Sequence, residues 1–391
     1  MEIVTLGDLF KISSGGTPSR REKSYYDNGD IPWIKTGDLH KVRIQQASEY
    51  ITQLGLDKSS AKLFPKDTVL LAMYGATIGA CSRLDIEAAT NQACAAFVPN
   101  EKVDTNYLYY FLKSKKNDFI RDGVGGAQPN ISATYLKTVD FPLPPLETQK
   151  QIATVLEKAD QLRKDCQQME LELNSLAQSV FIDMFGDPVT NPKGWETASL
   201  DCLAKVQIGP FGSQLHKEDY IADGIPLINP THIVKGQIIP DMNLTLTPEK
   251  FETLPNYHLQ AGDIVMGRRG EMGRTALIGE RSQGWFCGTG SLYIRITSHL
   301  VQPVFLNSVM SCNSMKTWLE EQSLGATMPN LNKKILHSIQ VPIPTKELQQ
   351  NYVAALEVFR QQRKEQEEHV QELDSLFNSL MQKAFKGELN L

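Results

Sequence analysis

The feature that most constrains this chain is that it states one long pattern twice. The segment beginning at Pro129 reads PNISATYLKTVDFPLPPLETQKQ, and 200 residues later the segment beginning at Pro329 reads PNLNKKILHSIQVPIPTKELQQN. Between 125–185 and 325–385 the register holds without a gap, and 19 of 61 positions are identical. Self-similarity over so long a period predicts two copies of one structural unit. A chain of 391 residues has room for two units that each bury a core.

The distance between the copies is variable in one part of the repeat and constant in the other. Upstream, Gly15 matches Gly209 at an offset of 194, and Asp67 matches Asp263 at an offset of 196. From Gly125 onwards the offset stays at 200 to the end of the repeat. The first part of each copy therefore tolerates insertions, whereas the second part is held to a constant length.

The part of constant length has the pattern of a long helix, in which apolar residues recur four and three positions apart. Prolines directly before Leu146 oppose backward extension of the first helix, and Gly186 marks its end. The second copy runs from about Glu347 to Phe385 and stops at Gly387. The stripe comprises Leu162, Cys166, Met169, Leu173, Leu176 and Val180 in the first helix, and Leu373, Leu376 and Leu380 in the second.

Two helices of this kind in one chain are expected to pack on each other as an antiparallel coiled coil. A helix of roughly 38 residues is about 57 Å long, which is more than one small domain covers. The alternative is that each helix lies along its own domain as an amphipathic core helix. Antiparallel pairing also predicts that the C-terminal AFKGELNL, ending at Leu391, returns beside the first globular segment.

The globular segments are predicted to be mixed α+β. Short β-rich runs such as TVLLAMY and SLYIRIT alternate with glycine and proline, whereas NYLYYFLKSKKNDFI has a helical pattern. The expected organisation is a domain over 1–144, a spacer helix with linker over 145–187, a second domain over 188–344 and a second spacer helix over 345–391.

Several kinds of chemistry are excluded by missing motifs. No Gly-Lys pair, which a Walker A phosphate loop requires, occurs in the chain, and the Asn-Pro-Pro-aromatic or Asp-Pro-Pro-aromatic site of an amino-methyltransferase is absent. Histidines and cysteines lack the close spacing of a metal or redox site, and no apolar run is long enough to span a membrane. The sequence predicts a non-catalytic, cytoplasmic protein with reduced thiols and no metal. The cysteines are Cys81, Cys94, Cys166, Cys202, Cys287 and Cys312.

The order of these features resembles the specificity subunit of Type I restriction-modification systems, over essentially the whole chain. A variable segment is followed by a GAQPNI or GATMPNL turn, a P-x-P stretch, a helix start with Glu and Gln, and a coiled-coil helix ending in FGD or AFKGEL. The segments DIPWIKTGDL and ATNQAC, with GIPLINPTHI and CGTGSL, look like target-recognition segments. The residues that carry the resemblance are Gly126, Ala127, Pro129, Asn130, Ile131, Pro142, Pro144, Glu147 and Gln149, then Gly325, Ala326, Pro329, Asn330, Leu331, Pro342, Pro344, Glu347 and Gln349.

The resemblance implies a protein that reads DNA and leaves the chemistry to its partners. Each globular segment would be a target-recognition domain for one half of a two-part asymmetric site in double-stranded DNA. The helices would set the gap between the halves and dock two methyltransferase subunits, joined by restriction and translocase subunits. No cofactor is expected in this chain, whereas S-adenosylmethionine, ATP and Mg are expected on the partners. The alternatives are a free-standing tandem DNA-binding regulator and a structural or carbohydrate-binding protein.

Candidate DNA contacts are polar groups in loop-like stretches of the two globular segments. The run MGRRGEMGR sets arginines among glycines, where guanidinium groups can reach a groove and bond guanine; a solvated arginine turn is the alternative. The candidates are Lys35, Thr36, Asp38, Tyr74, Thr77, Asn91, Gln92, Asn229, Thr231, His232, Arg268, Arg269, Arg274 and Thr289.

The net charge of −5 argues against a DNA-reading surface, which normally has a basic excess. Its distribution weakens that objection. Residues 1–144 carry a net charge of +1 and residues 188–344 carry 0, whereas 145–187 carry −4 and 345–391 carry −2. The acidic excess therefore belongs to the helices and not to the domains expected to read DNA.

Overall fold

The computed structural model describes residues 2–124, 130–211, 214–269, 272–323 and 330–389. It divides into two compact units that each mix helices and sheets. Unit 1 comprises Met1–Gln168 with Glu367–Leu391, and unit 2 comprises Met169–Gln366. The turn residues Gly126, Ala127, Pro129, Gly325, Ala326 and Pro329 and the terminal Leu391 lie outside the described residues.

Unit 1 is built on a five-stranded sheet of order β2-β10-β7-β8-β4 and a four-stranded sheet of order β5-β3-β9-β6, and β1 pairs with β11. Its strands are β1 (Glu2–Thr5), β2 (Ser13–Ser14), β3 (Ile31–Ile34), β4 (Arg43–Ile44), β5 (Glu49–Ile51), β6 (Leu63–Phe64), β7 (Val69–Ala72), β8 (Cys81–Leu84), β9 (Ala88–Thr90), β10 (Cys94–Phe97) and β11 (Asp140–Leu143). Its helices are α1 (Leu6–Leu9), α2 (Gln53–Asp57), α3 (Thr105–Ser114), α4 (Lys116–Asp122), α5 (Ala133–Lys137) and the start of α6 (Leu146–Phe185).

Unit 2 has a four-stranded sheet of order β13-β22-β19-β20, and β12 pairs with β23 as β1 pairs with β11. Its strands are β12 (Thr197–Ser199), β13 (Ala204–Ile208), β14 (Tyr220–Ile221), β15 (Leu227–Ile228), β16 (Ile233–Val234), β17 (Gln237–Ile238), β18 (Thr245–Leu246), β19 (Ile264–Gly267), β20 (Thr275–Leu277), β21 (Phe286–Cys287), β22 (Ser291–Ile296) and β23 (Gln340–Pro342). Its helices are α7 (Leu200–Leu203), α8 (Pro248–Thr253), α9 (Pro303–Ser311), α10 (Asn313–Ser323), α11 (Lys333–His337) and the start of α12 (Lys346–Lys386).

The central strand β7 is apolar throughout because it is covered on both faces. Val69 and Leu71 pack into one core with helix α3, whereas Leu70 and Ala72 pack into a second core with β3 and β4. Side chains alternate between the two faces of a strand, so one apolar run serves both cores. In unit 2, β19 is divided in the same way between a core with α9 and a smaller core with β15 and β21.

The two predicted long helices are present, and each is tied to its unit at its start. Gln149 is fully buried, accepts a hydrogen bond from the Asp104 amide at 2.9 Å and donates to the carbonyl of Pro144 at 2.8 Å. Gln349 repeats these bonds in unit 2 with the Gln302 amide and the Pro344 carbonyl, at 2.9 and 3.1 Å. The repeated glutamine therefore fixes where each helix leaves its globular domain.

Glycine ends each long helix. Gly186, with φ of +78°, follows α6, and Gly387, with φ of +76°, follows α12. This left-handed conformation is the usual way in which a helix terminates, and glycine adopts it without a steric penalty. The predicted ends of both helices are confirmed.

Within unit 1, α6 and α12 run antiparallel. Arg163 of α6 forms an ion pair with Asp374 of α12 at 3.2 Å, and eleven residues earlier Ile152 lies beside Ala384 in the same core. Leu389 packs against that core too, so the C-terminal stretch described here lies beside the first globular domain, as expected.

Within unit 2, the other two halves of α6 and α12 also pack antiparallel. Tyr352, near the start of α12, lies 5.5 Å from Phe181 and 5.3 Å from Phe185, ring centre to ring centre, at the end of α6. Leu173 and Arg363 line the opposite part of the same cavity between the helices. The pairing predicted from the sequence is therefore present in each unit taken by itself.

The residues predicted to form the seam between the helices are not the buried ones. Leu162, Met169, Leu176 and Leu376 are 56%, 50%, 46% and 52% exposed, and Cys166, Leu173, Val180, Leu373 and Leu380 are only partly buried. The prediction assumed that each helix packs only on the other helix. Each half of each helix also packs on the globular domain of its unit, so a different face of the helix is buried. The buried residues are Ile152, Ala153, Leu156, Phe181 and Phe185 of α6, and Tyr352, Phe377, Met381 and Ala384 of α12.

Candidate nucleic-acid interface

In unit 1, two loops that carry predicted contacts leave the sheet at the same edge. Strands β3 and β9 are parallel, with Ile34 opposite Thr90, so both chains leave the sheet in the same direction. The Asn91 amide donates to the Ile34 carbonyl at 3.0 Å, which holds the start of one loop against the start of the other. Lys35, Thr36 and Asp38 follow β3, and Asn91 and Gln92 follow β9.

A third loop of unit 1 reaches this edge from β7. The Met73 amide donates to the Ala93 carbonyl at 2.8 Å, so the residue after Met73 lies next to the loop that holds Gln92. That residue is Tyr74, which is 42% exposed, and the hydroxyl of Thr77 donates to its carbonyl at 3.2 Å. The fold thus brings together all seven predicted contacts of unit 1.

Unit 2 builds the same edge from β15 and β21, which are also parallel, with Ile228 opposite Cys287. The Gly288 amide donates to the Ile228 carbonyl at 2.9 Å, and the His232 amide donates to the Asn229 carbonyl at 2.9 Å. Asn229 also accepts a hydrogen bond from the Gly290 amide through Oδ1 at 3.4 Å. Asn229, Thr231, His232 and Thr289 therefore lie on two adjacent loops.

Matching backbone bonds show which positions correspond between the units. The amides of Asp38 and His232 donate to the carbonyls of Lys35 and Asn229, each at 2.9 Å, so Lys35 corresponds to Asn229. By the same criterion Gln92 corresponds to Thr289, since each follows the amide that bonds to the neighbouring strand. The two units therefore present one backbone framework with different side chains at its edge.

The arginine-rich turn differs from the sequence prediction. The Arg268 amide donates to the Gly290 carbonyl at 3.0 Å, and the Leu331 amide donates to the Arg268 carbonyl at 3.1 Å, which are the bonds that Met73 makes in unit 1. Arg268 therefore occupies the place of a buried methionine and is only 5% exposed. Its Nε donates to Asn330 Oδ1 at 2.9 Å, and burial, followed by the charge of Arg269, lowers the pKa of Arg268.

Arg268 is consequently not placed to reach a groove, because its side chain points into the domain. Arg269 corresponds to Tyr74 and is exposed at the edge. Arg274 is partly buried, and its Nη1 donates to the Ile233 carbonyl at 3.3 Å. Gly270 and Glu271, between these arginines, lie outside the described residues.

A cluster of two cations and one carboxylate borders the edge of unit 1. Glu49 forms ion pairs with Lys35 and, at 2.6 Å, with Arg20. The hydrogen bond from Lys35, opposed by burial and aided by Arg20, lowers the pKa of Glu49. Arg20 lies 4.6 Å from the centre of the Tyr26 ring and 5.0 Å from that of Trp33, a cation–π arrangement. The ion pair with Glu49 thus fixes the position of the Lys35 ammonium group.

Two residues of this edge were not predicted from the sequence. Arg20 reaches Glu49 from the loop after β2, and the Thr17 hydroxyl donates to Gln92 Oε1. Both residues are in the run GGTPSR, whose glycines pass close to β9 and to the backbone at Ser60: a Cβ at Gly15 would lie 1.9 Å from the Thr90 carbonyl oxygen. The pair of glycines in this run was the available signal for a close backbone approach.

The described residues were also compared with what a membrane-spanning helix and a metal site require. Within the described ranges, no helix combines the length and apolar character that a membrane crossing requires. Over the same ranges, no group of three or more His, Cys, Asp or Glu side chains could hold a metal ion. The six cysteines all lie within the described residues, and none of them forms a disulfide bond there.

Comparison with known proteins gives a consistent result. The chain is 32% identical over 259 residues to a curated relative, "Type I restriction enzyme MjaIX specificity subunit" of Methanocaldococcus jannaschii, and the match covers 61% of this chain and 59% of the relative. "Type I restriction enzyme EcoR124I/EcoR124II specificity subunit" of Escherichia coli is 27% identical over 192 residues, covering 47% and 48%. The aligned part of this chain thus spans between about half and three fifths of these two relatives.

The fold and the family agree with these matches. A solved chain described under "complex assembly" and "conformational transition of the type I R-M system" superposes with a TM-score of 0.64 at 18% identity, over 99% of this chain and 98% of that chain. The family model described as "Type I restriction modification DNA specificity domain" matches residues 1–173 and again residues 192–375. With one match in each half of the repeat, this chain belongs to the family of Type I restriction-modification DNA specificity proteins.

Proposed function

We propose that each unit reads one half of a two-part, asymmetric site in double-stranded DNA, for a Type I restriction-modification complex. The observation that carries this proposal is the shared edge: the same backbone bonds position Lys35 and Gln92 in unit 1 and Asn229 and Thr289 in unit 2. A constant framework with different polar side chains is what two readers of different half-sites require, since base edges are distinguished by their donors and acceptors.

Affinity for the phosphate backbone comes from a small number of cations at this edge. Arg20 and Lys35 lie at the edge of unit 1 with Glu49 between them, and Arg269 is exposed in unit 2. Phosphate groups can replace the carboxylate as the partner of these cations when DNA binds. A modest cationic surface of this kind suits a protein that binds DNA together with partner subunits.

The helices are proposed to dock two methyltransferase subunits and to set the gap between the half-sites. Large apolar side chains remain exposed on these helices. A helical pair that faced only water would not need them, whereas a surface that binds another protein would. In unit 1 these are Leu146, Leu162 and Leu376; in unit 2 they are Met169, Leu171, Leu176, Ile182 and Val358. Helix α6 is continuous over 40 residues, or about 60 Å, which equals the length of about 18 base pairs of B-DNA at about 3.4 Å each.

This chain is proposed to be non-catalytic and cytoplasmic. Methyl transfer from S-adenosylmethionine, and cleavage driven by ATP and Mg, would be performed by methyltransferase and restriction or translocase subunits. The free-standing regulator is not favoured, because the family model covers both halves of the chain. Co-purification with the methyltransferase subunit separates the two possibilities, since a free-standing regulator has no such partner.

The test is methylation mapping of genomic DNA from cells that express this chain with its neighbouring methyltransferase subunit, against cells that lack this chain. The expected result is a new adenine mark in a two-part motif with a fixed gap. Replacing residues 1–144 by the corresponding domain of a relative should change one half of the motif and leave the other half intact. Absence of any new mark, together with absence of a stable complex, contradicts the proposal.

A further inference from the structure

One residue at the edge of unit 2 is apolar, unlike the polar contacts described above. Strand β13 runs antiparallel to β22, with Ile208 opposite Leu292, so the chain that leaves β13 arrives beside the start of β22. The Gly209 amide donates to the Ser291 carbonyl at 3.0 Å, two residues after Thr289. The next residues, Pro210 and Phe211, therefore lie at the proposed reading edge.

The backbone at Phe211 is fixed from two directions. A Cβ at position 209 would lie 2.0 Å from the Gly288 carbonyl oxygen, so the backbone approaches as closely as glycine allows, and Pro210 is buried. On the other side, the Phe211 amide donates to Gln214 Oε1 at 3.0 Å, and the Gln214 amide donates to the Phe211 carbonyl at 2.8 Å. The Tyr257 hydroxyl also donates to Gln214 Oε1, at 3.1 Å.

Phe211 itself is 65% exposed, although both residues before it are buried. A single exposed apolar residue on a protein surface is ordinary and needs no explanation by itself. Phe211 differs because its backbone is held at the edge by its bonds with Gln214. Only the two side-chain torsions of the ring then remain to be fixed when a ligand covers it, which costs little conformational entropy.

Comparison of the two units shows that the fold does not require an aromatic residue here. The offset of 194 places Thr17 at the position of Phe211, and Thr17 donates to Gln92, the counterpart of Thr289. At the edge of unit 1, Tyr74 is an exposed aromatic residue, and its counterpart in unit 2 is Arg269. At the first of these positions unit 1 has Thr17 and unit 2 has Phe211, and at the second unit 1 has Tyr74 and unit 2 has Arg269. Each edge thus has one exposed aromatic and one polar residue, with the two positions exchanged.

We infer that Phe211 is a specificity-determining contact of unit 2 that packs as an apolar wedge against a base step of its half-site. The inference rests on the proposed DNA-reading function. An apolar ring has no hydrogen bond to offer phosphate, but it packs on base faces, and inserted phenylalanine side chains partly unstack base steps in other protein–DNA interfaces. Its position between Gly209 and the loop of Thr289 sets it among the polar groups proposed to read bases.

The test uses the full chain in complex with its methyltransferase subunits and a duplex that carries the mapped motif. Phe211→Ala and Phe211→Thr, the latter bringing in the residue of unit 1, are compared with Leu300→Ala. Leu300 is 44% exposed and follows the opposite end of β22, so it controls for loss of a surface apolar residue. Binding is measured by fluorescence anisotropy over a series of salt concentrations.

Phe211→Ala is expected to weaken specific binding by roughly 5-fold to 100-fold, as for loss of one base–aromatic contact, without changing the slope of log K against log salt. Arg269→Gln, by contrast, is expected to reduce that slope by about one phosphate contact. With 2-aminopurine in the unit 2 half of the motif, wild type should raise the fluorescence at one step, and Phe211→Ala should abolish that rise.

Three outcomes overturn the inference. One is wild-type affinity and wild-type 2-aminopurine fluorescence in both Phe211 variants, provided that wild type still marks the two-part motif. Another is loss of methyltransferase binding in Phe211→Ala, which assigns the residue to a protein interface. A third is a lower melting temperature in both variants than in Leu300→Ala, which assigns it to folding. If wild type produces no mark at all, the proposed function itself has failed.

Discussion

Removal of the buried carboxylate in unit 1 is the sharpest test of how this chain joins its helices to its first globular domain. Asp160 of α6 is 1% exposed, and its oxygens lie 3.0 Å from Lys113 Nζ, 2.6 Å from Arg163 and 2.8 Å from Lys164 Nζ. Lys113 belongs to α3, and Arg163 also pairs with Asp374 of α12. One carboxylate thus connects the domain and both helices, and Asp160→Asn removes its charge without changing its size.

The expected cost follows from the burial of the partners. Breaking a fully buried ion pair costs about 3–5 kcal/mol because an unpaired charge remains inside. Here the side chains of Arg163, Lys113 and Lys164 are 22%, 25% and 40% exposed, so they recover part of their hydration. We therefore expect a loss of about 2–3 kcal/mol in the free energy of unfolding of unit 1, or roughly 5–10 °C in melting temperature for a unit of this size.

The effect should depend on pH in a defined direction. Burial by itself raises the pKa of Asp160, but the hydrogen bonds and charges of Lys164 and Lys113 outweigh it, and the pKa is lowered. A carboxyl group with a lower pKa in the folded than in the unfolded state stabilises the fold above the unfolded pKa and loses this contribution as the pH falls through the folded value. The difference between wild type and Asp160→Asn should thus be full above about pH 5 and shrink below about pH 4.

The measurement is urea and thermal unfolding of both proteins, with amide hydrogen exchange to locate the change. The matched control is Glu157→Gln, one helical turn away, whose side chain is 48% exposed and pairs with Arg43 at 3.1 Å. Exposed pairs contribute at most about 1 kcal/mol, so the control should change little. Equal effects of the two substitutions, or faster exchange confined to unit 2, would refute the reasoning.

Three further predictions concern the reading edges and the core. Gly288→Ala should change or abolish reading of the unit 2 half-site alone in methylation maps, because the new Cβ would lie 2.2 Å from Asn229 Oδ1. Arg268→Met should retain the DNA motif and the melting temperature within a few degrees, since a buried arginine gives way to the residue type of the other unit, whereas Arg269→Gln should weaken DNA binding; loss of the motif in the first variant would contradict this assignment. Phe377→Ala, at 1% exposure, should cost about 3–5 kcal/mol of unit 1 stability in urea unfolding, and a smaller effect than an exposed-leucine control would contradict its place in the core.

The ends of the long helices could be predicted because they depend on local chemistry. Prolines before Leu146 and glycines at Gly186 and Gly387 act through their own backbone, whatever surrounds them. The buried face of the helices depends instead on what lies beside them. Phe377 is buried against Tyr110 of α3, and the Tyr352 hydroxyl donates to the Ser308 hydroxyl of α9 in the core of unit 2. A heptad stripe contains no information about those neighbours.

The reading edge shows the same division. Loops rich in polar residues were identifiable from the sequence, and the fold brings those of each unit together. The orientation of a single side chain could not be identified from the sequence, because one backbone bond decides it. The bond from the Arg268 amide to the Gly290 carbonyl turns Arg268 inward and Arg269 outward. Phe211 could not be predicted as an edge residue, because a sequence does not distinguish an exposed aromatic residue from one in the core.

The division of unit 1 between two distant stretches of chain has a consequence for the order in which the protein folds during synthesis. Phe377, Met381 and Ala384 complete the core around Tyr107 and Phe111, yet the ribosome makes them only after all of unit 2. At about 5–20 residues per second, the 198 residues of unit 2 take on the order of 10–40 s to synthesise, and for that time the nascent first domain exposes an aromatic face. Unit 2 is contiguous in the chain and has no such wait, so the domain made first is the one finished second.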